Sequence, residues 1–294
     1  MKIDGVFSGG GIKAFALIGA YEEIEKQGLE FVRVAGTSAG SIVGALIAAG
    51  YTSKEIYQLV GELDPQKLLD ARKTLIPFKF AKWLLLYWRL GLYKGNELEN
   101  WIKEKLELKG LRTFADLPPK VLRVVASDLT NGQMVVLPED LEKYGISPKS
   151  FSIARAIRMS CSIPYFFEPV RLRTAGGMNI LVDGGVLSNF PMWLFDKDNV
   201  RKSRPVLGIK LSANEYEHRK HKINNGIELF GALFETMKDA HDSRYISKRH
   251  AENIIFIPTE GILTTEFHLT EEKKKALVHL GREHARQFLN RWSY

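Results

Sequence analysis

The sequence predicts an α/β fold on a mainly parallel sheet, and three observations predict it. A strand, helix, strand, helix order fills the first 50 residues, and such a βαβ unit implies parallel strands. Apolar strand-like runs recur at "NILVDGGVL" (179–187), "RPVLGIKL" (204–211) and "ENIIFIPT" (252–259). Ahead of them, "KVLRVVASDLTNGQMVVL" (120–137) holds two β-rich runs joined through Asn131-Gly132, a hairpin signal.

The elements follow in order. "KIDGVF" alternates and turns apolar, which reads as a short strand broken by "SGGG". Ile12 to Gln27 carries apolar residues at helical spacing, and Gly28 suits its C-terminal cap. "FVRVAG" is the second strand, "TSAGS" a sharp turn, and Ile42 to Ala49 a helix closed by Gly50. Ser53 is placed to cap a helix from Lys54. The aromatic stretch "TLIPFKFAKWLLLYWRLGLYKG" (74–95) and a helix from Asn96 to Leu106 follow. "SPKSFSIARAIRMS" gives a helix capped by Ser150 or Ser152. Thr270 caps a long C-terminal helix whose Glu271-Glu272 complement the helix dipole. There is no repeat, low-complexity tract or evident linker. The expectation is one domain over 1–294, with 55–115 as a helical insertion or lid.

Composition bounds the function. Cys161 is the single cysteine, so no intramolecular disulfide can form. The N-terminus lacks the long apolar segment of a signal peptide. The densest apolar run, "WLLLYW" (83–88), is far shorter than the roughly 20 residues that span a bilayer. A cytoplasmic protein is expected, with peripheral contact to an anionic membrane as an option. The net charge of +8 is spread over runs such as "RKSR" (201–204), "HRKHK" (218–222) and "SKRH" (247–250). These read as solvated surface. No nucleic-acid motif accompanies them, and no nucleic-acid partner is expected.

The chemistry concentrates at "GTSAG" (36–40). A serine on a strand-to-helix turn needs small neighbours, because bulky ones clash in the strained elbow conformation. Gly36 and Gly40 supply them. The bland alternative is that Thr37 or Ser38 simply caps the helix. "SGGGIKA" (8–14) offers glycines and a helix N-terminus one strand earlier, suited to backbone N–H donors for a developing oxyanion. The competing reading, a nucleotide loop, lacks the G-x-x-x-x-G-K-[ST] form, and Ala14 stands where G-x-G-x-x-G needs glycine. A βαβ unit brings both turns to one sheet edge. For a base, none of the seven histidines lies in a glycine-rich strand-end loop. Asp183 does, followed by Gly184 and Gly185, although Asp-Gly is also an ordinary turn.

These residues resemble the patatin-like phospholipases, a family of serine lipid acyl hydrolases. The matching segments are "GGGIKA" (9–14), "GTSAG" (36–40) and "DGG" (183–185), with "ASDLTNG" (126–132) and "SCSIPYFFEPV" (160–170) in support. The resemblance covers roughly residues 1–50 and 120–210. It implies a three-layer α/β/α fold with a mainly parallel central sheet. It implies a Ser–Asp dyad: Ser38 as nucleophile, Asp183 as base, and an oxyanion hole from the segment Gly9, Gly10, Gly11, Ile12 and Lys13. Lys13 takes the family's basic position, orienting the loop or a headgroup. Ala14 replaces the family's usual glycine. The substrate implied is a lipid or other acyl ester, with no cofactor or metal. An acyltransferase or thioesterase on the same dyad and an inactive lipid-binding protein are the alternatives. The aromatic stretch 78–95 is expected to form either a membrane-contact lid or a packed helix.

Overall fold

The computed structural model describes residues 1–68, 70, 86–196, 204–211, 223, 226–246, 251–259 and 270–293. Residues 78–85 of the aromatic stretch, most of the three basic runs, and His218, His221, His250 and His268 lie outside the described residues.

Strand β1 (Lys2–Phe7) leads through a single 3-10 turn, Gly11–Lys13, into helix α1 (Ala14–Lys26). Strand β2 (Glu30–Thr37) then feeds helix α2 (Ala39–Ala48) directly at Ser38. Helix α3 (Ser53–Gly61) begins one residue earlier than the sequence suggests. Its cap is Thr52, whose hydroxyl accepts from the Glu55 N–H while Glu55 returns a bond to the Thr52 N–H. This reciprocal box satisfies two helix-end donors at once, which Ser53 could not do. After strand β3 (Gly91–Tyr93) come helix α4 (Asn96–Glu107), the hairpin β4 (Leu122–Asp128) and β5 (Gln133–Leu137), and helix α5 (Ile153–Ser160), capped by Ser152. Strands β6 (Tyr165–Phe167), β7 (Val170–Thr174), β8 (Gly177–Asp183) and β9 (Val206–Leu211) follow. Helix α6 (Gly226–Tyr245), strand β10 (Ile254–Ile257) and helix α7 (Glu271–Leu289), capped by Thr270 as expected, complete the chain.

The main sheet is mixed, in the order β10-β9-β1-β2-β4-β8-β7, with β5 also on β4. Strands β10, β9, β1, β2 and β4 run parallel, while β5 and β8 oppose β4. Alternation along the strands separates two faces. Phe7 and Val34 join the large core with α1 and α2. Their neighbours Val6 and Ala35 pack with Phe190, Met192, Phe195 and Ile246 on the other face.

Helix α1 is buried over nearly its whole first half, so it reads as apolar all round. Helix α7 lies against it at backbone contact. A methyl group at Gly281 would overlap the Ala16 carbonyl oxygen, and one at Gly19 would lie 2.9 Å from Val278 Cα. Backbone cannot move aside as a flexible side chain can. Gly281→Ala is therefore expected to cost about 1–3 kcal/mol, read as a fall in thermal midpoint.

Candidate active site

Ser38 sits between β2 and α2 with φ 52° and ψ −128°, a conformation that non-glycine residues rarely adopt. Its neighbours explain the glycines. A methyl group at Gly36 would strike the Gly40 carbonyl and lie 2.7 Å from Ser41 N. One at Gly40 would run into the carbonyls of Phe7 and Ser8, at the end of β1. So both glycines let α2 seat tightly on two strand ends. The Ser38 N–H donates to Ser160 Oγ at 2.8 Å, and Ser160 Oγ donates to Val125 O at 2.6 Å. The elbow is thereby tied to β4.

The glycine loop lies beside it. A methyl group at Gly9 would come within 3.1 Å of Ser38 Cβ and would also strike the Asn189 side chain. The Gly9 N–H donates to Asn189 O at 3.1 Å and the Ser8 N–H to Ile209 O at 3.1 Å, anchoring the loop on both sides. Gly11 has φ 57°, which glycine adopts without strain. Among the described residues, the N–H groups of Gly10, Gly11 and Ile12 donate to no acceptor. Lys13 is buried and pairs with Glu235 of α6 at 3.3 Å. It holds loop and helix together; it does not present its charge outward.

Asp183 reaches this place through strand register. Thr37 of β2 is level with Val125 of β4, and Ala126 of β4 is level with Asp183 of β8. Because β8 runs antiparallel, it descends from beyond the sheet edge and stops beside the elbow. Gly184 permits the approach, since a methyl group there would strike Val125 O and lie 2.9 Å from Thr37 Cγ2. Thr37 Oγ1 also donates to Ser188 O at 2.9 Å, clasping the turn.

The Asp183 carboxyl is 1% exposed. Its Oδ1 accepts from the Gly185 N–H at 2.7 Å. Its Oδ2 is buried and has no hydrogen-bond partner among the described residues. Burial pushes the pKa up to about 6, against opposing pulls from the Ser38 side chain, the Gly185 N–H and the Lys238 charge. The Ser38 side chain thus favours the charged carboxylate. The buried Lys238 ammonium stands 5.5 Å from the Phe234 ring centroid. Cys161 is buried beside Ser41, and burial pushes its thiol up.

The structure therefore brings Ser38, Asp183, Gly9 to Lys13, Gly36, Gly40, Gly184 and Gly185 together. Four residues that sequence reasoning passed over join them: Ser160, Asn189, Lys238 and Asp242. Ser160 lay inside a segment already singled out, "SCSIPYFFEPV", and Asn189 stands six residues beyond Asp183. Lys238 and Asp242 lie on a polar-looking helix with no local signal. Asp128 of "ASDLTNG" takes a different place. It accepts hydrogen bonds from Asn131, Tyr144 and Asn179 at 2.7–2.9 Å and clamps the β4–β5 turn to β8. Burial alone would raise its pKa, but these bonds hold it below the usual carboxylate range. Of the described histidines, His279 is exposed on α7 beside Glu283. Among the described residues, no group of three or more His, Cys, Asp or Glu is placed to hold a metal ion.

Comparison with known proteins shows the family and the fold. The family model described as Patatin-like phospholipase matches residues 5–196. An uncharacterized protein of Bacillus subtilis, YqhO, is 57% identical over 294 residues, covering all of both chains. A cUMP-AMP-activated phospholipase of Escherichia coli is 30% identical over 194 residues, 62% of this chain and 54% of that enzyme. The crystal structure of VipD from Legionella pneumophila superposes with a TM-score of 0.57 at 20% identity, over 99% of this chain and 67% of that one. At that identity the likeness shows the fold alone. With the family model spanning well over half the sequence, the chain belongs to the patatin-like phospholipase family.

Proposed function

We propose that the chain is a serine lipid acyl hydrolase that cleaves acyl esters through an acyl-Ser38 intermediate, with Asp183 as base. One observation carries this reading: a serine in a strained elbow beside a buried carboxylate with one unpartnered oxygen and a pKa near 6. A carboxylate at about 3.9 is a weak base at neutral pH. Burial brings Asp183 nearer the operating pH while leaving it ionised there.

In the first half-reaction Ser38 Oγ attacks the ester carbonyl and its proton passes to Asp183. The tetrahedral oxyanion is met by the N–H groups of Gly10 and Gly11, one such donor being worth roughly 3–4 kcal/mol. The intermediate collapses, and Asp183 returns the proton to the leaving alcohol. Water then repeats the sequence on the acyl-enzyme and releases the acid. The test is fluorophosphonate labelling of wild type and Ser38→Ala alongside hydrolysis of short-chain and phospholipid esters. Labelling and activity should both vanish in Ser38→Ala; persistence of either contradicts the reading.

The Lys238 charge stabilises the Asp183 carboxylate. Lys238→Met is therefore expected to move the acid limb of kcat/KM to higher pH, measured as a pH profile on a soluble ester.

The membrane-facing surface is proposed to include α6. Leu229, Leu233 and Met237 are 47%, 56% and 44% exposed, and their four-residue spacing places them on one helical face. The same helix holds Lys13 through Glu235 and sets Lys238 beside the Asp183 turn. Tyr87 and Trp88 are also exposed, at 75% and 67%. Among the described residues no helix is long and apolar enough to cross a membrane, so contact would be peripheral. Replacing Leu229, Leu233 and Met237 by serine is expected to weaken binding to anionic vesicles while sparing hydrolysis of a soluble ester. Unchanged vesicle binding would remove α6 from the contact.

A further inference from the structure

Asn189 occupies a position that the acyl-transfer steps above do not use. It is 3% exposed, six residues beyond Asp183. Its Nδ2 donates to Asp242 Oδ2 at 3.3 Å. Asp242 is itself buried, accepts from the Phe190 N–H at 3.1 Å, and pairs with the buried Lys210 ammonium at 2.9 Å. An ionised carboxylate has no hydrogen to give. The amide must therefore turn its NH2 toward Asp242, and its oxygen the other way.

That oxygen faces the reacting groups. Asn189 Oδ1 borders Gly9 at the place where a methyl group would also lie 3.1 Å from Ser38 Cβ. A methyl group at Gly185 would lie 3.4 Å from Asn189 Oδ1 and 3.0 Å from Asp183 Oδ1. Asn189 Oδ1 is buried and has no hydrogen-bond partner among the described residues, as is true of Asp183 Oδ2. Two buried acceptors without donors thus flank the elbow. Buried polar groups of this kind are ordinarily satisfied, commonly by water.

We propose that Asn189 is the positioning residue for the deacylating water, accepting one of its hydrogens while Asp183 accepts the other. This rests on the acyl-Ser38 reading. A water held by both hydrogens has its lone pair left to aim at the acyl carbon. Asp183 takes one proton as the water oxygen bonds to that carbon. The tetrahedral intermediate collapses with cleavage of the bond to Ser38 Oγ. The proton passes from Asp183 to Ser38, and the carboxylic acid departs. Asn189 keeps both its hydrogens and gives up none. A base that acts alone can hold only one hydrogen of the water, so the second acceptor matters most where the dyad has no third member. An alcohol has one hydroxyl hydrogen, which Asp183 alone can hold. Asn189 therefore favours water over alcohol as acyl acceptor.

The test uses the full chain with p-nitrophenyl butyrate, with and without methanol, and fluorophosphonate labelling as a measure of nucleophile reactivity. In Asn189→Ala, the labelling rate should stay within about threefold of wild type while steady-state turnover falls about 10- to 100-fold, the loss expected for a mispositioned reactant. A burst of nitrophenol should appear, and the ratio of methyl ester to free acid should rise. Asp242→Asn keeps the Asn189 side chain but no longer dictates its orientation. It should change the same quantities in the same direction, less strongly, and decides the matter if Asn189→Ala does not fold. Labelling and turnover falling by the same factor, or an unchanged partition ratio, would overturn the proposal. Failure of wild type to label at Ser38 would instead sink the acyl-Ser38 reading itself, and this inference with it.

Discussion

Asp183→Asn is expected to lower ester hydrolysis about a thousandfold or more, within the range for loss of a general base, and to make the protein more stable above pH 6. The two effects share one cause. Asp183 is buried, and burial raises its folded pKa from 3.8 to about 6. A raised folded pKa means that the protonated carboxyl is favoured in the folded state. Its stability contribution is complete below about pH 4 and is lost as pH rises through about 6. Above that, the folded protein carries a buried charge at a cost of about 3 kcal/mol. Asparagine is neutral at every pH and similar in shape, and its oxygen can still accept from the Gly185 N–H. Thermal midpoints of wild type and variant should therefore agree near pH 4 and separate between pH 4 and 6. At pH 8 the inactive variant should be the more stable. Equal midpoints at pH 8 would show that Asp183 is not held charged at a cost.

A second large effect separates two glycines one turn apart on α2. Gly40→Ala places a methyl group into the carbonyls of Phe7 and Ser8, backbone atoms at the base of the glycine loop. It is expected to cost about 1–3 kcal/mol and, by shifting the elbow against the loop, at least about a hundredfold in kcat/KM. Gly44→Ala meets nothing closer than Val34 Cβ at 3.8 Å. There the gain in helix propensity should dominate, raising stability by about 0.5–1 kcal/mol with activity unchanged. Circular-dichroism melting and esterase assays on both variants check the contrast. If Gly40→Ala behaved like Gly44→Ala, the glycine requirement in the elbow would be wrong.

The contrast also shows how much of the site was legible beforehand. "GTSAG" and "SGGGIKA" carry their requirement locally, because a strand-end turn that must seat against another strand selects for residues without side chains. The β1-α1-β2-α2 order and the Thr270 cap were equally local and stand as the sequence placed them, except that α2 begins at Ala39, inside the expected turn and three residues before Ile42. Asp183 was recognisable as a strand-end acid, but its route to Ser38 was not. Its strand opposes β4, and the pairing of Ala126 with Asp183 is set by long-range register. The short strands Gly91–Tyr93 and Tyr165–Phe167, which among the described residues pair only with each other, are too brief for alternation to register. The same holds for Ser160, Asn189 and Lys238. Each acts through partners 35 or more positions away or across a helix packing that local sequence does not encode. The Thr52 cap was missed for a smaller reason: Ser53 and Thr52 are both good caps, and Glu55 sits three residues after Thr52, the spacing of the reciprocal box.

The most direct test of the account is the pH dependence of fluorophosphonate labelling, with the modified residue mapped by peptide mass spectrometry. The account predicts an adduct on Ser38 whose rate of formation rises with a midpoint near pH 6, and loses that rise in Asp183→Asn. An adduct on another residue, or a midpoint near 6 that persists without Asp183, would contradict it.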